Sequence, residues 1–108
     1  MRAERLGLLA EIRAVRFLKK SGMTVVRTRF RARGGEIDLI AREGNTLAFV
    51  EVKAGMNGEN AAQRVDPVKR ARLRRAAEEY LRAFPASGAR FDVLEEGAQG
   101  FTLIRNAF

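Results

Sequence analysis

The stretch from Glu36 to Lys53, EIDLIAREGNTLAFVEVK, decides the fold because it has the pattern of two strands joined by a tight turn. Both halves are rich in aliphatic residues and alternate in polarity toward their outer ends, as half-buried strands do. Between them, Gly44-Asn45 suits a two-residue turn, in which the backbone takes positive φ. The pattern therefore predicts an antiparallel hairpin in which Glu43 faces Thr46.

The register of this hairpin sorts its side chains onto two faces. Asp38 is expected directly opposite Glu51, with Cβ atoms about 5 Å apart. Glu36 is expected opposite Lys53 on the same face. The other face is apolar throughout and consists of Ile37, Leu39, Ala41, Ala48, Val50 and Val52. A slip of one residue would bring these apolar side chains to the polar face, so the apolar face fixes the register.

The flanking segments predict one α/β domain over residues 1–108, with the element order α-β-β-β-α-β-β. Asp66-Pro67 is a strong start for the second helix, which can act as the crossover before a parallel strand. The result is a mixed sheet of about five strands flanked by helices. Turns are expected over residues 31–35 and 95–100. The expected elements are helices over residues 3–20 and 66–84 and strands over residues 24–30, 36–42, 46–53, 90–94 and 101–105.

The composition narrows the chemistry and the partners. The 108 residues include no histidine and no cysteine, which removes the commonest general base and all thiol nucleophiles. Any catalysis must therefore use carboxylates, lysine, hydroxyls or a hard metal ion such as Mg²⁺ or Mn²⁺. The formal net charge of +8 favours a nucleic acid over a membrane surface as partner. The sequence has neither a membrane-spanning apolar run nor a signal-peptide pattern, so a cytoplasmic protein is expected.

The facing pair Asp38 and Glu51 is the candidate catalytic centre. Two adjacent carboxylates are costly unless a cation lies between them, and Mg²⁺ held there would polarise a phosphate and activate a bound water. The backbone carbonyl of Val52 is a further candidate ligand, and Lys53 could orient the attacking water or stabilise charge on the phosphate. Glu11 lies inside or beside the apolar stripe of the first helix, so it must be paired, liganded or placed at an edge. The alternative is a ladder of surface salt bridges on an ordinary hairpin.

A family resemblance rests on the same residues. Asp38 followed by Glu51-Val52-Lys53 resembles the PD-(D/E)XK nuclease superfamily, in which an acid on one strand precedes an acid-X-lysine on the next. Glu11 matches the acid that many members have on their first helix. A closer resemblance is to the YraN-type family of uncharacterised bacterial proteins. It rests on Ala10-Glu11 with Ala14, GEIDLIA at 35–41, FVEVK at 49–53, VDPVKRARL at 65–73, Tyr80-Leu81 and RFDV at 90–93.

The resemblance implies a restriction-endonuclease-like fold, akin to that of archaeal Holliday-junction resolvases. It implies a binding site for Mg²⁺ or Mn²⁺. The implied substrate is DNA, including branched or structured DNA, in preference to RNA. One departure is that Ala54-Gly55 stands where members commonly have an arginine after the lysine, which removes a phosphate contact. The implied metal ligands are Asp38, Glu51, Val52 and Glu11, and the implied catalytic residues are Asp38, Glu51, Lys53 and Glu11.

Basic side chains near the candidate centre are candidates for contact with nucleic acid. Arginines alternate from Arg27 to Arg33 along a strand that leads toward Asp38, which suits either a phosphate track or a solvated sheet edge. The exposed arc of the second helix likewise suits phosphate contact or simple solvation. The residues predicted to contact nucleic acid are Arg29, Arg31, Arg33, Lys69, Arg70 and Arg74.

Three functions are compatible with these patterns. The first is a metal-dependent endonuclease, expected as a homodimer because one domain of this size covers too little duplex to cut both strands. The second is a non-catalytic nucleic-acid-binding module that retains the same fold. The third is an interaction domain for an acidic protein partner. Salt-sensitive binding to DNA is expected of the first two functions only.

Overall fold

The structure is a computed structural model that describes residues 7–54 and 65–108. Its elements follow the predicted order α-β-β-β-α-β-β. Neither of the helices in this part of the chain has the length and apolarity needed to cross a membrane. The bounds of the elements are α1 Leu8–Lys20, β1 Thr24–Ala32, β2 Gly35–Glu43, β3 Thr46–Ala54, α2 Pro67–Ala83, β4 Gly88–Gly97 and β5 Gly100–Ile104.

The five strands form one mixed sheet in the order β1-β2-β3-β4-β5. Neighbouring strands are antiparallel, except that β3 and β4 are parallel. A tight turn cannot join parallel strands, and α2 lies in the crossover between these two, as predicted. With one helix against each face, the sheet has the arrangement of the restriction-endonuclease-like fold, which confirms the predicted fold class.

The hairpin of β2 and β3 has the predicted register. Glu43 pairs with Thr46 across the turn, and the pairing continues as far as Leu39 with Val50. Gly44 has a φ of 61°, in the left-handed region that this kind of turn requires. The local turn chemistry and the apolar alternation therefore agree on one alignment of the two strands.

Apolar side chains pack in two clusters, one on each face of the sheet. The cluster beneath α1 consists of Ala14, Leu18, Met23, Leu39, Ala41, Ala48, Val50 and Leu94. The cluster beneath α2 consists of Ile37, Ile40, Leu47, Phe49, Val65, Leu73, Ala76, Ala77, Tyr80 and Val93. The alternation predicts Ile37 on the face of Leu39, but Ile37 packs in the α2 cluster with its strand partner Phe30. Next to Phe30 the backbone of Arg29 has a positive φ of 49°, and β1 has a bulge farther along, between Val25 and Arg27, so the strand departs from simple alternation.

Most element boundaries differ from the prediction by one or two residues, and three differences alter a predicted turn or a helix start. β1 continues through Ala32, which pairs with Gly35, so the predicted basic turn shrinks to residues 33–34. β4 continues to Gly97, which pairs with Gly100, so the last turn shrinks to residues 98–99. In both places the ladder of hydrogen bonds extends strands over residues whose composition is typical of loops. α1 begins at Leu8, and the predicted helical residues 3–6 lie outside the described part of the chain.

The start of α2 is fixed by its cap and by close contact with β2. The Asp66 side chain accepts a hydrogen bond of 2.9 Å from the Lys69 amide, and Pro67 opens the helix, as predicted. Gly35 approaches α2 so closely that a Cβ atom there would lie 3.1 Å from the carbonyl oxygen of Arg72. The first turns of α2 are therefore held against the end of the hairpin that carries the candidate carboxylates.

Candidate active site

Asp38 and Glu51 lie side by side, one residue beyond the last regular pair of the hairpin. Asp38 Oδ2 accepts a hydrogen bond of 2.9 Å from the Val52 amide, and the Asp38 and Glu51 carboxyl groups share a hydrogen bond. Burial and, after it, the Glu51 charge raise the pKa of Asp38 to about 7, while the Val52 amide lowers it. The structure therefore has the predicted facing pair, and this pair is poised to hold one proton near neutral pH.

Two lysines from different elements contact the same oxygen of Glu51. Lys53 Nζ, on β3, lies 3.7 Å from Glu51 Oε2, and Lys69 Nζ, on α2, makes a closer contact with that oxygen. The Glu51 side chain is only 6% exposed, so its charge depends on these cations for compensation. Burial is the largest single influence and lowers the pKa of Lys69, but the hydrogen bond to Glu51 together with the charges of Glu51 and Asp38 outweighs it and raises this pKa above the ordinary value.

A cleft of about 500 Å³ opens in front of the carboxylates. Glu36, Asp38 and Glu51 line it from the sheet, and the first turns of α2 line it from the opposite side through residues that include Lys69 and Arg72. A water molecule occupies about 30 Å³ in the liquid. The cleft therefore has room for a phosphate group together with a hydrated ion.

The donor set at the pair fits a hard divalent cation. Mg²⁺ commonly takes one or two carboxylates from a protein and fills its other positions with water and substrate phosphates. Asp38 and Glu51 provide two such carboxylates, and their shared hydrogen bond brings their oxygens close enough for one cation to replace the proton. Within residues 7–54 and 65–108, no group of three or more acidic side chains is arranged to hold an ion. The other ligands would then be water, phosphate and the predicted Val52 carbonyl.

Glu11 stands apart from this pair and forms an ion pair with Arg29. Arg29 Nε and Nη2 lie 2.9 and 3.2 Å from the two Glu11 carboxylate oxygens, which is a bidentate geometry. Glu11 is 8% exposed, and of the three predicted alternatives (pairing, liganding or an edge position) the structure has pairing. The structure thus brings Asp38, Glu51 and Lys53 together, while a role for Glu11 at a metal stays a prediction.

Most of the residues predicted to contact nucleic acid already have partners within the chain. The ion-paired members are Arg29 with Glu11, Arg31 with Glu36, and Lys69 with Glu51. The stacked members are Arg70 and Arg74, whose guanidinium groups lie over the Phe108 ring at 5.2 and 6.0 Å. Arg33 is exposed at the turn between β1 and β2. At the other five residues of the set, a phosphate would have to compete with these intramolecular contacts.

Two features of the cleft are missed by sequence reasoning. The sequence places Lys69 only among the nucleic-acid contacts, whereas its ammonium group belongs to the centre itself. Arg72 lines the cleft, whereas the sequence places it only on the exposed arc of the second helix and leaves it out of the residues predicted to contact nucleic acid. The available signal is their spacing of three residues, which puts both on one face of a helix whose start at Asp66-Pro67 can be read directly. Which part of the sheet that face meets depends on packing, and no local pattern encodes it.

A second charged network lies at the turn end of the hairpin, away from the cleft. Asp92 is fully buried, and Arg90 Nε donates to its two oxygens at 2.9 and 3.0 Å. Glu43 bridges Arg90 and Arg105 with contacts of 2.7 and 2.8 Å. The hydrogen bond from Arg105, helped by that from Arg90, lowers the pKa of Glu43 to about 2 in spite of burial. Each acid here is paired with arginine, so this network fastens the chain end to the sheet.

Comparison with known proteins identifies close relatives over most of the chain. The model of the family described as "Uncharacterised protein family UPF0102" matches residues 10–95, which include both carboxylates and both lysines of the centre. The UPF0102 protein of Herminiimonas arsenicoxydans is 40% identical over 104 residues, covering 94% of this chain and 84% of the relative. That of Dechloromonas aromatica is 44% identical over 105 residues, covering 94% and 87%. That of Caldicellulosiruptor saccharolyticus is 36% identical, and the match covers 100% of both chains.

Proposed function

The chain belongs to the uncharacterised protein family UPF0102, and on that premise we propose that it is a metal-dependent endonuclease that hydrolyses phosphodiester bonds in DNA. The observation that supports this most is the Asp38–Glu51 pair, which shares a hydrogen bond beside Lys53 Nζ at 3.7 Å from Glu51 Oε2. The arrangement matches the acid and acid-X-lysine motif of PD-(D/E)XK nucleases. The formal net charge of +8 supports a polyanionic substrate.

Each side chain of the centre has its own role in this proposal. Mg²⁺ or Mn²⁺, when bound by Asp38, Glu51 and the Val52 carbonyl, supplies polarisation of the phosphate and a water of lowered pKa. Lys53 Nζ donates a hydrogen bond to the attacking water or to a phosphate oxygen and so holds it in position. Phosphoryl transfer needs positioning and charge stabilisation more than covalent chemistry. A centre without histidine or cysteine is therefore adequate for this reaction.

Glu11 enters the proposal as a further acid that reaches the centre directly or through water. Arg29 binds both of its carboxylate oxygens, so direct binding of a metal by Glu11 competes with this ion pair. The phosphates of DNA offer Arg29 an alternative partner of the same chemistry, because guanidinium binds phosphate and carboxylate with similar bidentate geometry. Substrate binding at Arg29 would then free the Glu11 carboxylate from its ion pair.

Three exposed arginines that we call the basic rim, Arg33, Arg72 and Arg75, support binding of the phosphate backbone near the cleft. Arg72 lines the cleft, and a Cβ atom on Gly34 would lie 3.0 Å from Arg75 Nε. The turn between β1 and β2 therefore brings Arg33 beside the exposed arc of α2. This concentration of positive charge is where a DNA backbone would gain most from counterion release.

The test of the proposed function is cleavage of labelled linear, flapped and four-way DNA by the full chain with Mg²⁺ or Mn²⁺. We expect metal-dependent cleavage that falls by about a hundredfold or more in Asp38→Ala and in Lys53→Ala. Glu78→Ala removes an exposed carboxylate from α2 and is the matched control, with activity expected to be unchanged. Folded protein that cleaves none of the three substrates with either metal contradicts the proposal.

A non-catalytic nucleic-acid-binding module is the second candidate function. It is favoured by the two lysines that already compensate the charge of Glu51, and by Ala54-Gly55 in place of the arginine common among family members. This alternative predicts salt-sensitive DNA binding that is unchanged in Asp38→Ala and is not accompanied by cleavage. Loss of cleavage in Asp38→Ala with retained binding, by contrast, supports the endonuclease.

A further inference from the structure

In the part of the chain that the structure describes, Lys69 makes a closer contact with Glu51 than Lys53 does, and it comes from outside the strand motif. Its Nζ atom contacts Glu51 Oε2, the same oxygen that lies 3.7 Å from Lys53 Nζ. The Asp38 carboxylate also acts on Lys69 electrostatically. One ammonium group therefore lies in the field of both carboxylates, where a divalent cation would also bind.

The fold places the backbone of Lys69 where its side chain can reach Glu51. The Lys69 backbone amide donates to the Asp66 side chain at 2.9 Å, which fixes the residue in the first turn of α2. The close approach of Gly35 to Arg72 fixes the distance between that turn and β2. The Lys69 side chain, 31% exposed, reaches from the wall of the cleft to a Glu51 side chain that is 6% exposed. The contact is therefore a product of packing α2 on the sheet.

We propose that Lys69 is an internal competitor of the metal: it binds Glu51 in the metal-free protein and must leave before a divalent cation can use that oxygen. This inference rests on the proposed function, because it takes Asp38 and Glu51 as the metal ligands. An ammonium group and a divalent ion repel each other strongly at contact distance, so both cannot bind Glu51 Oε2 together. Lysine has a long, flexible stem, and it can turn away without movement of the helix.

The exchange couples metal binding to substrate binding. An ammonium group that leaves Glu51 stays in the cleft next to Arg72, where a DNA phosphate is a suitable partner. DNA therefore draws Lys69 away from Glu51 and increases the affinity for metal. By linkage, metal increases the affinity for DNA by the same factor. In this way Lys69 would keep the affinity of the centre for metal low until a DNA substrate is bound.

The test compares wild type with variants of the full chain. The Mn²⁺ affinity of each protein is measured without DNA, by electron paramagnetic resonance of free Mn²⁺. Lys69→Gln should bind Mn²⁺ about fivefold more tightly than wild type, because an ion pair of typical strength no longer competes. Lys69→Arg keeps the competing charge and should bind Mn²⁺ as wild type does. Arg72→Gln is the matched control, since it removes the same charge from an exposed side chain that lines the same cleft. Its effect should be much smaller than that of Lys69→Gln.

Two outcomes separate failure of this inference from failure of the proposed function. If wild-type binding depends on Asp38, and Lys69→Gln binds no more tightly than Arg72→Gln, the competitor role is overturned and the metal site stands. If Asp38→Ala binds Mn²⁺ as well as wild type does, the metal site is overturned and the competitor role with it. Circular dichroism of each variant checks that the comparison is between folded proteins.

Discussion

Arg29 holds Glu11 with hydrogen bonds of 2.9 and 3.2 Å, and it does so from a backbone conformation that arginine rarely adopts. Its φ of 49° lies in the left-handed region, where a side chain with a Cβ atom is strained. A bulge between Val25 and Arg27 precedes it in β1. Strained residues of this kind cluster at functional sites. Here the strained residue neutralises the buried acid of α1 and ties that helix to the sheet edge.

Replacement of Arg29 by glutamine should lower the thermal midpoint by several degrees, because it leaves the nearly buried Glu11 carboxylate without its bidentate partner. Glu11→Gln alone should cost less, and the double variant should be more stable than the sum of the two single losses predicts. Urea unfolding of the four proteins measures this coupling. Losses that simply add would mean that the ion pair does not stabilise the fold.

The stability of the metal-free protein should fall as the pH rises from about 4 to about 7, because of Asp38. Its pKa is raised from 3.8 to about 7, so the folded state binds more protons than the unfolded state within this range. Asp38→Asn cannot ionise and should remove this loss, which makes it more stable than wild type at pH 8 by about 1 to 3 kcal/mol. Urea unfolding in EDTA at pH 5 and pH 8 measures the difference.

The effect of Mg²⁺ on the free energy of unfolding should differ between wild type and Asp38→Asn. Mg²⁺ should restore the stability of wild type at pH 8, because a ligand that binds only the folded state stabilises it. It should have little effect on Asp38→Asn, which lacks one of the two charged ligands. An equal response of both proteins to Mg²⁺ would place the ion elsewhere.

Gly35→Ala should destabilise the fold by about 1 to 3 kcal/mol through overpacking. The added Cβ would lie 3.1 Å from the Arg72 carbonyl oxygen and 3.2 Å from Arg72 Cβ, so α2 would have to move away from β2. Gly97→Ala is the matched control, because its Cβ would lie 3.8 Å from the Gly100 carbonyl oxygen, which is an ordinary van der Waals contact. Equal unfolding free energies for the two variants would mean that the contact with α2 is not tight.

Acid should weaken the second charged network, which depends on the charge of Glu43. This residue has a pKa lowered from 4.5 to about 2, so its contribution to stability is complete above about pH 4.5 and is lost as the pH falls toward 2. Glu43→Gln should therefore lower the free energy of unfolding at pH 7 by about 1 kcal/mol. This value is modest because Glu43 and Arg105 are partly exposed. At pH 2 the free energies of unfolding of the variant and of wild type should be nearly equal. Glu78→Gln, at an exposed position of α2, should match wild type at both values.

The basic rim should account for part of the salt dependence of DNA binding. Arg72→Gln with Arg75→Gln should reduce the slope of log affinity against log salt concentration by about 2, since each phosphate contact contributes about 0.9. Arg16→Gln with Arg82→Gln removes two exposed arginines from elsewhere and should leave the slope nearly unchanged. Fluorescence anisotropy from low to moderate salt measures both slopes. A similar fall of the slope in both double variants would mean that the net charge of the protein alone determines the salt dependence of DNA binding.

The sequence by itself determined the order of the elements and the alignment of the hairpin. Gly44-Asn45 permits one kind of turn, and the apolar face allows one register, so these residues alone place Asp38 and Glu51 together. These are local rules, because the turn and the alternation act between residues that are close along the chain. The Asp66-Pro67 start of α2 is predictable for the same reason.

Only the tertiary structure decided which cations meet which acids. Lys69 reaches Glu51 because α2 crosses between parallel strands and packs against Gly35. Arg29 reaches Glu11 from a strand that has a bulge and takes an unusual φ. Such pairs depend on how far apart two elements pack and on which faces they turn toward each other. Periodicity along the chain contains neither quantity. The strand motif therefore predicts the carboxylate pair, and the packing of the helices determines what compensates its charge.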